Sequence, residues 1–179
     1  MAKDAKYTIF KTNWGYFGLA TNEKGLFRTV LPCPSKRKRR RACPTLKITK
    51  KYLTEGLNNP KFDKNLLKPL QDKIIAYFEG KPTRFDTPIA LDNLPPFIRK
   101  VLAACRKIPS GKTVSYSQLA RKIGKPRASR AVGNALAKNP IPLIIPCHRV
   151  IRCDGSPGNF SAFGGTDTKK NLIDLERKH

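Results

Sequence analysis

The sequence predicts an α+β protein: a small strand-rich unit over residues 1–91, then a mostly helical unit over residues 92–179 built around a helix-turn-helix. Three observations lead there. Aromatic and β-branched stretches near the N-terminus are cut by turn residues. Apolar residues recur with a helical period over residues 66–80 and again after residue 95. Two short helical patterns meet around a Gly-Lys-Pro turn, in a chain that carries 37 Lys and Arg against 12 Asp and Glu.

The elements follow in order. "YTIFKTNWGYFGLATNEKGLFRTVLP" reads as a β-meander with turns at "TNWG" and "NEKG". "LLKPLQDKIIAYFEG" reads as an amphipathic helix that stops at Gly80, and "TRFDTPIAL" as a short strand. "LDNLPP" is the linker. Pro95 or Pro96 suits the first turn of a helix, where an N–H has no partner anyway. "PPFIRKVLAACRKIP" then places Phe97, Val101, Leu102 and Cys105 on one face, with Cys105 simply buried. In "SGKTVSYSQLARKIGKPRASRAVGNALAKN", Ser115 or Ser117 caps a first helix, and a second runs from about Arg127 to Lys138. That second helix sets Arg127 and Arg130 among Ala128, Ser129, Ala131, Gly133 and Ala135. Such a slim helix suits close approach to a duplex groove, or tight packing on a neighbouring helix. After "IPLIIP" come a strand end carrying Cys147, a loop "RCDGSPGNFSAFGG" and a last helix "TDTKKNLIDLERKH", which Thr166 or Asp167 can cap. No internal repeat is present.

Composition bounds the function. The chain has 179 residues, 39% of them apolar, and nine Phe, enough for a real core. A net charge of +25 points to a polyanionic partner, nucleic acid above all; the plainer reading is a surface charged for solubility. No apolar run approaches the roughly 18 residues of a membrane span, so no membrane partner is expected. "MAKDAKYTIF" shows no apolar signal core, which predicts no export and a cytoplasmic protein, nuclear in a eukaryote. The cysteines are Cys33, Cys43, Cys105, Cys147 and Cys153, and the histidines only His148 and His179. Without a CxxC, no metal site is expected. In a reducing compartment Cys33 and Cys43 are expected as two free thiols rather than a disulfide. The run Lys36–Arg41 between them reads as a solvated basic loop, a phosphate-contacting loop or a nuclear address, with phosphate contact preferred.

Chemistry concentrates at "IPCHRVI". Cys147 is either a small core residue or a nucleophile. A nucleophilic thiol needs a base, and His148 is the one histidine inside a predicted element. Neighbours on an extended strand point to opposite faces. Either the chain turns at 147–148, or His148 acts on Cys147 through a bridging water. A carboxylate should orient the imidazole, and the last helix offers Asp174 and Glu176. A cysteine hydrolase could use the same set, though nothing marks a peptide or ester pocket.

"IPCHRVI", preceded by "SRAVGNALAKNPIPLI" and "GKTVSYSQLA", resembles the alkylguanine-DNA alkyltransferases, or methylated-DNA–protein-cysteine methyltransferases. The similarity covers residues 95–177 most specifically. "KTNWGYFGLA", "KGLFRTVLP" and "YFEGKPTRFDTPI" resemble the smaller domain of that family. The resemblance implies a ribonuclease-H-like N-terminal domain, a winged-helix-like C-terminal domain, no cofactor, and a monomer that acts on double-stranded DNA carrying alkylated guanine. It implies one irreversible transfer of an alkyl group from the exocyclic oxygen of guanine to Cys147. His148 would be the base through water, held by Glu176, the closer match to the family's final-helix glutamate. Tyr116 would help rotate the nucleotide and give a proton to the departing guanine. Arg130 would be the finger that fills the stack left by a flipped base. Arg127, Ala128, Ser129, Ser115, Gly133 and Asn134 would complete the DNA-binding surface. Asn139, Pro142, Val150, Phe160 and Ser161 would form the substrate pocket, with the amide of Asn139 tying its turn to the cysteine segment and Ser161 bonding the lesion's oxygen. Two departures stand out: Phe160 replaces a frequent Tyr, and Ala162 and Phe163 look like an insertion before Gly164 and Gly165. Cys153 is a bystander thiol. A non-catalytic lesion sensor, or a methylation-triggered regulator, is the alternative on the same fold.

Overall fold

Turn chemistry builds the N-terminal sheet. A computed structural model describes residues 4–34 and 43–178. Strands β1 (Lys6–Thr12) and β2 (Gly15–Asn22) close a hairpin at Thr12↔Gly15, where the Thr12 hydroxyl donates to the Gly15 carbonyl at 2.9 Å. Strand β3 (Gly25–Val30) follows β2 after a turn in which Asn22 accepts from the Lys24 amide. The order is β3-β2-β1-β4, with two-residue β4 (Lys61–Phe62) parallel to β1. Alternation then assigns the faces. Phe17 and Leu19 join the main core with Leu70, Ile74 and Phe78 of helix α2 (Lys68–Phe78). Tyr7, Ala20 and Val30 form a second cluster with Leu53 of helix α1 (Leu46–Thr54), which the side chain of Thr45 caps.

Helix α3 (Pro96–Arg106) buries Ile98, Val101, Leu102 and Cys105, at i, i+3, i+4 and i+7. The predicted face stands, with Phe97 half-buried against the same core and Ile98 added to it. Strand β5 (Val114–Ser115) leads into helix α4 (Tyr116–Lys122), where Ser115 and Gln118 form a reciprocal capping box. A turn over residues 123–128 leads to helix α5 (Ser129–Ala137), completing the helix-turn-helix. Strand β6 (Val150–Ile151) pairs with β5 in parallel, and helix α6 (Gly165–Glu176) closes the chain. Leu102, Leu119, Val132, Ile145 and Leu172 belong to the same core cluster as Phe17 and Phe78. No described helix is long and apolar enough to cross a membrane.

The mixed α+β class stands, with local corrections. Residues 83–91 form no strand: Leu26 makes a single bridge to Ile89, and Pro88 has no N–H to extend a ladder. Residues 140–147 are a turn-rich segment and not a strand end, because Pro142 and Pro146 interrupt it and Leu143 sits at φ 78°. Neither Thr166 nor Asp167 caps α6. Gly164, at φ 78°, occupies that place, and Asp167 complements the helix dipole from the first turn. Among the described residues the helix-turn-helix is flanked by the short β5–β6 ladder, and no wing hairpin is formed. Cys33 and Cys43 are joined in a disulfide, in place of two free thiols, because the exit of β3 and the approach to α1 bring their Cα atoms to 5.2 Å. The basic run Lys36–Arg41 lies outside the described residues.

Candidate active site

The chain turns at the thiol. Cys147–Arg149 form one 3-10 turn, so Cys147, His148 and Arg149 fan out instead of alternating across a strand. All three are buried. His148 Nε2 lies 2.9 Å from Glu176 Oε1, and a carboxylate only accepts, so Nε2 carries the proton and Nδ1 the lone pair. Nδ1 has no partner among the described residues.

Glu176 is the most heavily bonded side chain of the site. It accepts from Tyr77 Oη at 2.8 Å, the Gly111 amide at 3.2 Å, and Arg149 Nε and Nη2, both at 2.8 Å, besides His148. Burial alone would raise its carboxyl, but the hydrogen bonds and charges of His148 and Arg149 outweigh that and hold it well below the usual carboxylate range. Burial lowers the His148 pKa, so the ring is a neutral base at neutral pH. Asp174, the other candidate, faces Arg177 on the surface.

Cys147 Sγ accepts from Asn139 Nδ2 at 3.2 Å. The same amide donates to the Ile145 carbonyl at 2.9 Å, while Oδ1 accepts from the Ile141 amide at 3.1 Å. Asn139, just past α5, thus pins the segment that delivers the thiol, as the resemblance implied. Burial pushes the Cys147 thiol up, opposed by the Asn139 bond and the charge of Lys169. The resting group is a thiol that must lose its proton to react.

Cys147 opens into a cleft of about 1050 Å³. Tyr116, Ser129, Arg130, Gly133, Asn134, Phe160 and Ser161 line it, so most of the predicted set converges. The other predicted residues sit elsewhere. Ser115 caps α4 and shares a hydrogen bond with Ser117. Arg127 and Ala128 belong to the turn before α5, with Arg127 exposed. Val150 is buried, with its carbonyl facing Lys169. Pro142 and Asn139 line a neighbouring cavity, which shares Ser161 with the cleft. Cys153 is exposed and outside the cleft.

Three residues escaped the sequence reading. Lys169 of α6 is buried and donates to Tyr116 Oη at 3.2 Å and to the Val150 carbonyl. Burial lowers its pKa to about 8. Burial, then the Cys147 charge, raises the Tyr116 phenol, which keeps it a proton donor. Arg149 and Tyr77 complete the Glu176 cluster. Lys and Arg are almost never fully buried unless paired, so the faint signal was one basic residue at a core-facing position of each element. Among the described residues no group of three or more His, Cys, Asp or Glu side chains could hold a metal ion.

Comparison with known proteins points the same way. Residues 5–91 match the family model for the ribonuclease-like domain of 6-O-methylguanine DNA methyltransferase, and residues 96–178 the model for its DNA binding domain. A methylated-DNA–protein-cysteine methyltransferase of Methanosarcina barkeri is 38% identical over 97% of this chain and 98% of its own. One from Mycolicibacterium paratuberculosis is 44% identical over 60% of this chain, a match that spans 64% of the relative. Among solved structures, Mycobacterium tuberculosis OGT in complex with DNA superposes with a TM-score of 0.75, at 31% identity, over 97% of this chain and 93% of that one.

Proposed function

The chain belongs to the 6-O-methylguanine DNA methyltransferase family, and from that premise we propose that it repairs duplex DNA, as a monomer, by moving the alkyl group of an alkylated guanine onto its own Cys147. The observation that carries this reading is the opening of Cys147 into a cleft with ample room for a base, with a neutral imidazole and an anchored carboxylate behind it. Unassisted, the buried thiol stays protonated. His148 Nδ1 takes its proton through a water, and Glu176 stabilises the imidazolium that forms. The thiolate attacks the alkyl carbon. The new S–C bond forms as the C–O bond breaks, and the electron pair leaves with guanine. Tyr116 gives that guanine a proton, which Lys169, 3.2 Å away, replaces. The S–C bond is not reversed, so each molecule acts once.

Stacked bases cannot reach this cleft, so the lesion must be flipped, at a cost of a few kcal/mol. Arg130 stands at the start of α5 on the cleft edge, exposed and long enough to fill the vacated stack. Ser161 faces the same space from the loop and would donate to the lesion's oxygen.

Incubation with methylguanine-containing duplex should add one methyl mass to the peptide holding Cys147, read by mass spectrometry. Cys147→Ser should still bind the duplex and transfer nothing. An unmodified peptide after complete binding would replace this reading with that of a lesion sensor.

A further inference from the structure

Two stretches of the chain contain no Asp or Glu: residues 24–54 and residues 93–153. The second holds the helix-turn-helix and the reactive turn. The first ends in α1, which packs on the N-terminal sheet. Thr49 and Leu53 face that sheet, while Lys47, Lys50 and Lys51 are exposed. The helix is held in a fixed pose. A Cβ on Gly18 would collide with Thr49 and Leu53, so glycine there lets α1 lie against β2. Arg28 Nη1 grips the far end, donating to the carbonyls of Tyr52, Leu53 and Glu55 at 3.2, 3.0 and 2.7 Å.

Four cations elsewhere on this half of the chain are paired: Lys24 with Asp92, Lys68 with Asp72, Lys81 with Glu79 and Arg84 with Asp86. No ion pair among the described residues involves Lys47, Lys50 or Lys51. Three like charges at i, i+3 and i+4 repel one another, and only Lys51 complements the helix C-terminus. A polyanion lying along the face would relieve that repulsion.

The position of α1 supplies the polyanion. The Tyr52 ring meets Phe163 edge-on at 4.9 Å between centroids, which ties α1 to the loop that lines the reactive cleft. The cavity under this contact, about 540 Å³, is bounded by Tyr52 and Arg28 on one side and by Ser161 and Phe163 on the other. Ser161 also lines the cleft of Cys147. The cleft and this cavity therefore adjoin at Ser161, and α1 stands beside the loop that lines both.

We propose that α1 is a second DNA-contacting element, in which Lys47, Lys50 and Lys51 neutralise backbone phosphates flanking the extruded nucleotide. The inference rests on the repair reading of the cleft. Lysines on a flat helix face carry no base-edge readout, so the contact adds affinity without sequence preference. That suits a protein that must find a lesion in any context.

The test is the salt dependence of binding by the full chain to a methylguanine-containing duplex, between about 50 and 200 mM salt. Each phosphate contact contributes a slope of about 0.9 in log K against log salt concentration, so the combined variant Lys47→Gln, Lys50→Gln, Lys51→Gln should lose about 2 to 3. A control variant, Lys64→Gln, Lys73→Gln, Lys81→Gln, removes equal charge from the α2 side and should lose less than about 1. Both should react with free benzylguanine at the wild-type rate, which reports an intact fold and thiol. A wild-type slope in the α1 variant, or equal losses in the two variants, would overturn the proposal. Failure of the wild type to take up a methyl group would overturn the repair reading instead, and the slopes would still decide whether α1 meets DNA.

Discussion

The two sides of Cys147 are built on opposite principles. Behind it, Glu176 gathers the side chains of Tyr77, His148 and Arg149 and the Gly111 amide into a buried polar cluster. In front, Arg130, Asn159 and Ser161 line the cleft, are exposed, and make no side-chain hydrogen bond among the described residues. A reacting sulfur has to be held still, so the rear is over-determined. A flipped base has to bring its own partners, so the front keeps its polar groups free. Much of the stability cost of ionisable residues thus sits where substrate never reaches, and recognition sits where substitution is cheap.

The strongest way to break this contrast is Glu176→Gln. It leaves the Arg149 guanidinium buried without its counter-charge, a change that costs about 3–5 kcal/mol. Ser161→Ala, on the exposed side, should stay within about 0.5 kcal/mol. Urea unfolding of both variants measures the difference, and equal losses would abolish the distinction. The carboxyl also fixes an acid limit. Its folded pKa lies below the ordinary glutamate value of about 4.3, so its contribution is complete above that pH and drains away as the pH falls through the lowered value.

Lys169 stands on the seam, buried like the rear yet bonded to Tyr116 of the cleft. Its folded pKa of about 8 lies below the ordinary lysine value, so the unfolded chain binds the extra proton between the two. Stability must then rise with pH across that window, by up to about 3 kcal/mol between pH 8 and 10.4. The measurement is the difference in unfolding free energy between wild type and Lys169→Met as a function of pH, in which the titrations of groups remote from Lys169 cancel. A flat difference would mean that the ammonium is not buried at a cost.

How much of this was legible beforehand follows the range of the forces involved. The meander, α2, α3 and the helix-turn-helix are local patterns, and the sequence shows them. Ser115 caps α4 because a Ser followed three residues later by Gln carries its own geometry. Helix α1 passed unnoticed behind the basic run, although Thr45 and the spacing of Thr49 and Leu53 announce it. Cys147, His148 and Glu176 follow from a motif, but the 3-10 turn that separates the directions of Cys147 and His148 does not, because it depends on Pro146 and on the Asn139 bonds. Tyr77 leaves no signal in the sequence, and Lys169 and Arg149 only a faint one. Their roles come from partners far apart in the chain that meet only in three dimensions: 99 residues for Tyr77 and Glu176, 53 for Lys169 and Tyr116, and 27 for Arg149 and Glu176. The Cys33–Cys43 disulfide is not legible, because compartment chemistry favours free thiols and the convergence of the β3 exit with the approach to α1 is a tertiary fact.

The smallest effect sharpens the front half of the contrast. Arg130→Ala removes a side chain with no hydrogen-bond or ion-pair partner among the described residues, so unfolding should change by no more than about 0.5 kcal/mol. Reaction with free benzylguanine should also be unchanged, since that substrate needs no flipping. Repair in duplex DNA should fall about 10- to 100-fold, because an unfilled stack returns part of the few kcal/mol that extrusion costs and each 1.4 kcal/mol is a factor of ten. The ratio of the two rates is the quantity to report, as it cancels any shared loss of thiol reactivity. If both substrates slow together, Arg130 acts through the cleft itself, and the front would share the structural duty assigned here to the rear.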